Sequence, residues 1–98
     1  MSLDKSDLIN KKLVAIFYDE NNKKIKTTHF GQKGSGDYTI NNDDKIKDLY
    51  LNRHRKNENW NDYMSAGSLS RWILWNKKTV NSSLKEFLNK FNLSAYNK

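Results

Sequence analysis

The residue types best suited to grip or transform an anion crowd into residues 53–75, RHRKNENWNDYMSAGSLSRWILW. All three arginines fall there (Arg53, Arg55, Arg71), with all three tryptophans (Trp60, Trp72, Trp75) and His54, one of two histidines. Guanidinium presents a planar fork that matches phosphate oxygens and also stacks on bases. Arg53, Arg55, Lys56 and Arg71, with Lys45 and Lys47, therefore form the main candidate phosphate-binding group. The competing use of these charges is a solvated helix face, which every soluble helix needs. Arg71 stands apart: between Ser70 and Trp72, on the most apolar helix, it is placed to meet a buried carboxylate such as Glu58 or Asp62. Tryptophans in such density also serve a core, because aromatic side chains carry the largest apolar burial.

Three further constellations bear chemistry. Lys23, Lys24, Lys26 and Lys33 form a second basic group with no acid among them. Trp60 lies among Asn57, Glu58, Asn59 and Asn61, where an indole and amides suit base contact; asparagines bonding their own backbone would make the same stretch a turn. Gly31–Gly36 holds three of the four glycines, and glycine allows backbone N–H groups to approach a phosphate closely. It lacks the Gly-Lys-Ser/Thr of a P-loop, so a plain connector is its simpler reading, with Asp37-Tyr38-Thr39 as an anchor behind it. His29 and His54 have neither H-x-x-x-H nor H-E-x-x-H spacing. A metal-dependent phosphodiesterase site would need them to converge with Asp37, Glu58 and Asp62 from three loops. The expectation is no metal, no cofactor and no catalytic residue, with His29 pairing across the hairpin or helping to form a polar contact.

Composition narrows the class. Ninety-eight residues make one domain. An aromatic share of 12% argues against disorder, and a net charge of +7 favours polyanionic partners, nucleic acid first. The absence of cysteine removes disulfides and thiolate chemistry. No apolar run approaches a membrane span, and MSLDKSDLINKK lacks a signal-peptide core, so an intracellular protein without membrane attachment is expected. Lysine and asparagine are abundant and proline absent, a bias typical of AT-rich coding sequence.

The elements that must position these residues read as α+β. Residues 1–10 read as a flexible arm, 11–93 as the domain and 94–98 as a frayed end. Leu13–Tyr18 is a short apolar run bounded by polar residues, hence a strand. Asn21-Asn22 suits a tight turn, because asparagine tolerates positive φ. The return strand Lys24–Phe30 then pairs Leu13 with Phe30, Val14 with His29, Ala15 with Thr28, Ile16 with Thr27, Phe17 with Lys26 and Tyr18 with Ile25. A lone hairpin is marginal in water, so about three helices must cover one face. The first starts near Asn41–Asp44 and fades by Asn57, with Ile46, Leu49 and Tyr50 as its inner stripe. The second runs from Ser65 or Ala66 to about Asn76, burying Leu69, Trp72 and Ile73. The third carries Val80, Leu84, Phe87, Leu88 and Phe91 at helical spacing.

Two stretches also carry a resemblance. His29-Phe30-Gly31 with Asp37-Tyr38-Thr39, and Arg53-His54, Asn57–Trp60, Ala66-Gly67 and Ser70–Trp75, are similar to motifs of a family of small uncharacterised proteins of giant DNA viruses, of mimivirus and phycodnavirus type. The likeness covers roughly residues 27–91; Tyr63 departs from it, standing where the family pattern has a proline. It implies a viral origin and brings no activity with it.

These readings lead to a small basic nucleic-acid-binding protein, genome-associated or regulatory. It would work in the host cytoplasm, viral factory or nucleus, or inside the virion. Lysine and arginine contacts to phosphate would supply the affinity. The alternatives are a virus–host protein-interaction module and a metal-dependent nuclease.

Overall fold

In the computed structural model, which describes residues 1–96, an antiparallel sheet is covered on one face by helices. Its strands are β1 (Ser2–Lys5), β2 (Lys11–Tyr18) and β3 (Lys24–Gln32), in the order β1-β2-β3. The hairpin register follows from its turn. Asn22 adopts φ 62°, and the Asp19 carboxylate accepts from the backbone N–H groups of Asn21 and Lys23. Leu13 pairs with Phe30, Val14 with His29, Ala15 with Thr28, Ile16 with Thr27 and Phe17 with Lys26. A bulge then shifts Tyr18 onto Lys24 instead of Ile25. A left-handed residue closing such a turn brings an extra residue into the ladder.

The expected flexible arm is corrected here. Ser2–Lys5 is a strand, with Ser2 opposite Ile16 and Lys5 opposite Leu13. Its alternation is too short to read as a strand by itself; the open edge of β2 recruits it. Residues 94–96 are likewise tied in: Tyr96 N donates to Met1 O, and its ring stacks on Tyr18 with centroids 3.9 Å apart. Asn97 and Lys98, the rest of the expected frayed end, lie outside the described residues.

Helical elements follow β3: α1 (Tyr38–Asn41), α2 (Asp44–His54), α3 (Ala66–Leu69), a π-helical turn over Ser70–Leu74, and α4 (Val80–Lys90). Asp37, Asp43, Ser65 and Thr79 cap α1, α2, α3 and α4 in turn, each side chain accepting from a first-turn N–H. The expected second helix is thus present but changes pitch. Leu69 and Ile73 are fully buried, and Trp75 N bonds back five residues to Ser70 O.

The core lies between this helix, α4 and the sheet face carrying Ala15, Phe17 and Phe30, with Phe87 of α4 pressed against it. The inner stripe expected for α2 fails. Tyr50 is buried, but Ile46 and Leu49 are 42% and 66% exposed. The helix stands off the sheet and is held at its edge, by Tyr50 stacked on Trp75 and by Lys47 Nζ donating to Asn76 O at 2.7 Å.

Candidate nucleic-acid interface

A cleft of about 430 Å³ opens where the β2–β3 end of the sheet, α2 and the π turn meet. Its walls come from segments far apart in sequence. Lys11, Lys12, Gly31 and Asp37 line one side; Tyr50, Arg53, His54 and Glu58 another; Gly67, Ser70, Leu74 and Trp75 the third.

Local chemistry explains each wall. Gly31 has φ +78°, and a Cβ there would stand 2.7 Å from Leu74 Cδ1, so the chain turns against the helix only without a side chain. The glycine loop beyond it is pinned. Lys12 Nζ donates to Ser35 O and, at 2.6 Å, to Asp37, which is 1% exposed and also accepts from Thr39 N. Lys33 N donates to Asn10 O and Ser35 N to Gln32 O. Those two amides are taken up by protein carbonyls, one in the loop and one on Asn10, which favours the connector reading of Gly31–Gly36. Asp37-Tyr38-Thr39 is the anchor the sequence suggested.

The opposite wall is a column of rings. His54 stacks on Tyr50 and Tyr50 on Trp75, with both centroid separations 4.2 Å. Burial holds the Tyr50 phenol well above its ordinary pKa. Glu58 closes this corner. Its Oε2 lies 3.0 Å from His54 Nδ1, and its Oε1 accepts from Trp60 Nε1 at 2.9 Å.

The predicted basic residues separate by place. Arg53 lines the cleft, and Arg55 and Lys56 are exposed just beyond it, at the end of α2. Lys45 is exposed on the first turn of the same helix. Lys33 is exposed on the glycine loop. Lys24 and Lys26 are exposed near the hairpin turn, six to eight residues along β3 from Gln32. At about 3.4 Å per residue that puts them roughly 20–27 Å from the cleft, so they form a separate edge. Lys11, which sequence reasoning passed over, faces the cleft; only the antiparallel pairing of Lys11 with Gln32 brings it there.

Arg71 does not meet the expected buried carboxylate. Neither Glu58 nor Asp62 pairs with it. Its guanidinium lies 4.3 Å from the Trp72 ring centroid and 5.3 Å from that of Trp60, and Nη1 donates to Trp75 O at 2.9 Å. Nε is buried with no partner among the described residues. Desolvation pushes its pKa down, and burial followed by the Arg71 charge does the same to Lys47. Trp60 is occupied too, giving its N–H to Glu58 and its carbonyl to Trp72 Nε1 and Ser68 Oγ. Among the described residues the salt bridges are Lys12–Asp37 and Lys77–Glu86, with His54–Glu58 one only when the imidazole is protonated, so none of the three arginines is matched by a carboxylate. His29 Nδ1 lies 2.7 Å from Ser6 Oγ, a contact across the sheet, and does not join His54. No cluster of three or more metal-ligating side chains occurs among the described residues, and no helix there is long and apolar enough to cross a membrane.

Among known proteins, the model of a family of unknown function (DUF5754) matches residues 1–54. The match takes in the sheet, the glycine loop and α2 as far as His54, and stops before Glu58 and the π turn. No curated protein and no solved structure matches.

Proposed function

For this chain, which belongs to that family of unknown function, we propose nucleic-acid binding at the cleft and the basic end of α2 beside it. The observation that carries the reading is the set of unmatched cations around the ring column. Arg53 and Lys11 face the cleft and Arg55 and Lys56 flank it, none in a salt bridge among the described residues. Cations left without carboxylates suit phosphate oxygens, and an aromatic wall suits the unpaired base attached to them. The cleft volume suits one nucleotide unit rather than a duplex groove. On this reading the far lysines, Lys24 and Lys26, meet only a longer strand. A viral origin, with a role beside the genome or in its regulation, belongs to the same proposal.

The test is fluorescence anisotropy of labelled single-stranded DNA and RNA across a salt series. The triple variant Arg53→Ala/Arg55→Ala/Lys56→Ala should flatten the slope of log affinity against log salt by about one unit for each lost contact, on every sequence alike. Unchanged affinity in that variant removes the proposed surface.

A second reading has its own observation. Ile40, Ile46 and Leu49 leave apolar side chains exposed along α1 and α2, as a protein-docking module would. Capture of one protein that survives nuclease treatment, and is lost in Ile46→Asp/Leu49→Asp, would favour it.

A further inference from the structure

His54 is held more firmly than a histidine near a helix end requires. Glu58 fixes Nδ1 at 3.0 Å, and Trp60 Nε1 fixes Glu58 in turn at 2.9 Å. Gly67 backs the carboxylate so closely that a Cβ there would stand 3.0 Å from Glu58 Cδ. Tyr50 covers one ring face at 4.2 Å. A surface pair closing the last turn of α2 would use neither the indole nor the glycine. In the neutral ring, a carboxylate at Nδ1 places the proton there and leaves the lone pair on Nε2. Nε2 makes no hydrogen bond among the described residues, and His54 and Glu58 both line the cleft beside Arg53 and Lys11.

We propose that His54 is the general base of a ribonucleolytic transesterification in this cleft, with Glu58 as its positioning residue. The proposal rests on the nucleic-acid reading above and adds substrate class and reaction. A held imidazole is a ready proton acceptor, and as a base the chemistry it serves with fewest further groups is one whose nucleophile the substrate carries. The ribose 2′-hydroxyl is that nucleophile. Nε2 takes its proton as O2′ attacks the adjacent phosphorus. The O2′–P bond forms, the P–O5′ bond breaks, and the proton passes from the imidazolium to the departing O5′. The products are a 2′,3′-cyclic phosphate and a 5′-hydroxyl, with no other reactant consumed. Arg53 and Lys11 line the same cleft and supply the cations for charge developing on the phosphoryl oxygens.

The experiment uses the full chain and an end-labelled DNA oligonucleotide carrying a single ribonucleotide, with an all-DNA twin as the uncleavable binding probe. Expected is cleavage at the ribonucleotide alone, leaving a 2′,3′-cyclic phosphate. The single-turnover rate at saturating protein should fall at least about 100-fold in His54→Ala. Glu58→Gln should lower that saturated rate more than it alters the half-saturating protein concentration, and each variant's melting curve confirms that it folds. Should His54→Ala not fold, His54→Gln takes its place. Binding of the twin without cleavage of the ribonucleotide probe, or cleavage that persists in the His54 variants, overturns the catalytic role and leaves the binding reading standing. Failure to bind either probe overturns both.

Discussion

Arg71 shows how little a residue's type says about its use. Its guanidinium meets two indole faces and a carbonyl, and no carboxylate among the described residues. Guanidinium can lie flat on Trp72 while one nitrogen reaches Trp75 O; an ammonium cannot do both. Arg71→Lys should therefore lower unfolding free energy by about 1–3 kcal/mol, from the weakened cation–π contact and the lost hydrogen bond. Arg53→Lys, on the exposed end of α2, should leave stability unchanged. Urea titration of the two variants checks the difference, and equal midpoints would show that Arg71 has no structural role.

At the scale of elements, α4 and the helix before it divide the apolar load unequally. Phe87 is 1% exposed and packs on Phe91 with ring centroids 5.0 Å apart and the planes tilted by 59°. Trp72 is only part-buried and keeps its N–H on Trp60 O. Phe87→Ala should cost about 3–5 kcal/mol, enough to unfold much of a domain of this size. Trp72→Ala should cost less in packing but should also release Arg71 and the Trp60 turn. Thermal melts give the order: Phe87→Ala lowest, Trp72→Ala between it and the parent. The reverse order would mean that the indole cluster, rather than the sheet–α4 core, limits stability. By contrast α2 hangs on few contacts, chiefly the Tyr50–Trp75 stack and the Lys47–Asn76 bond.

For the molecule as a whole, the N-terminal strand closes the sheet. β1 covers the edge of β2, and Tyr96 docks beside it through Met1 O and the Tyr18 ring. Removing residues 1–5 should bare the β2 edge and its unpaired backbone groups. The melting temperature should fall and concentration-dependent association should appear, because open edges recruit one another. Light scattering with a thermal melt checks both; a monomer of parent stability would make β1 dispensable.

The parts of this protein written locally were legible in the sequence. The hairpin register counted away from Asn21-Asn22 holds from Phe17–Lys26 to Leu13–Phe30, and only the pair nearest the turn was hidden, because the bulge between Phe17 and Tyr18 displaces that pair alone. The amphipathic run from Val80 to Phe91 and the helix starts near Asp43 and Ser65 needed no more than spacing and side-chain type. Tertiary structure decided what depends on distance across the chain. It decided that Ser2–Lys5 is a strand, since an edge strand borrows its hydrogen bonds from a neighbour. It left Ile46 and Leu49 in solvent, since periodicity marks an apolar stripe without supplying the surface to cover it. It also divided the cations: β3 carries Lys24 and Lys26 away from the cleft, while the antiparallel ladder brings Lys11 into it. His54 and Glu58 sit one helical turn apart in the sequence. Their pairing gained its support only when Trp60 and Gly67 folded against the same carboxylate.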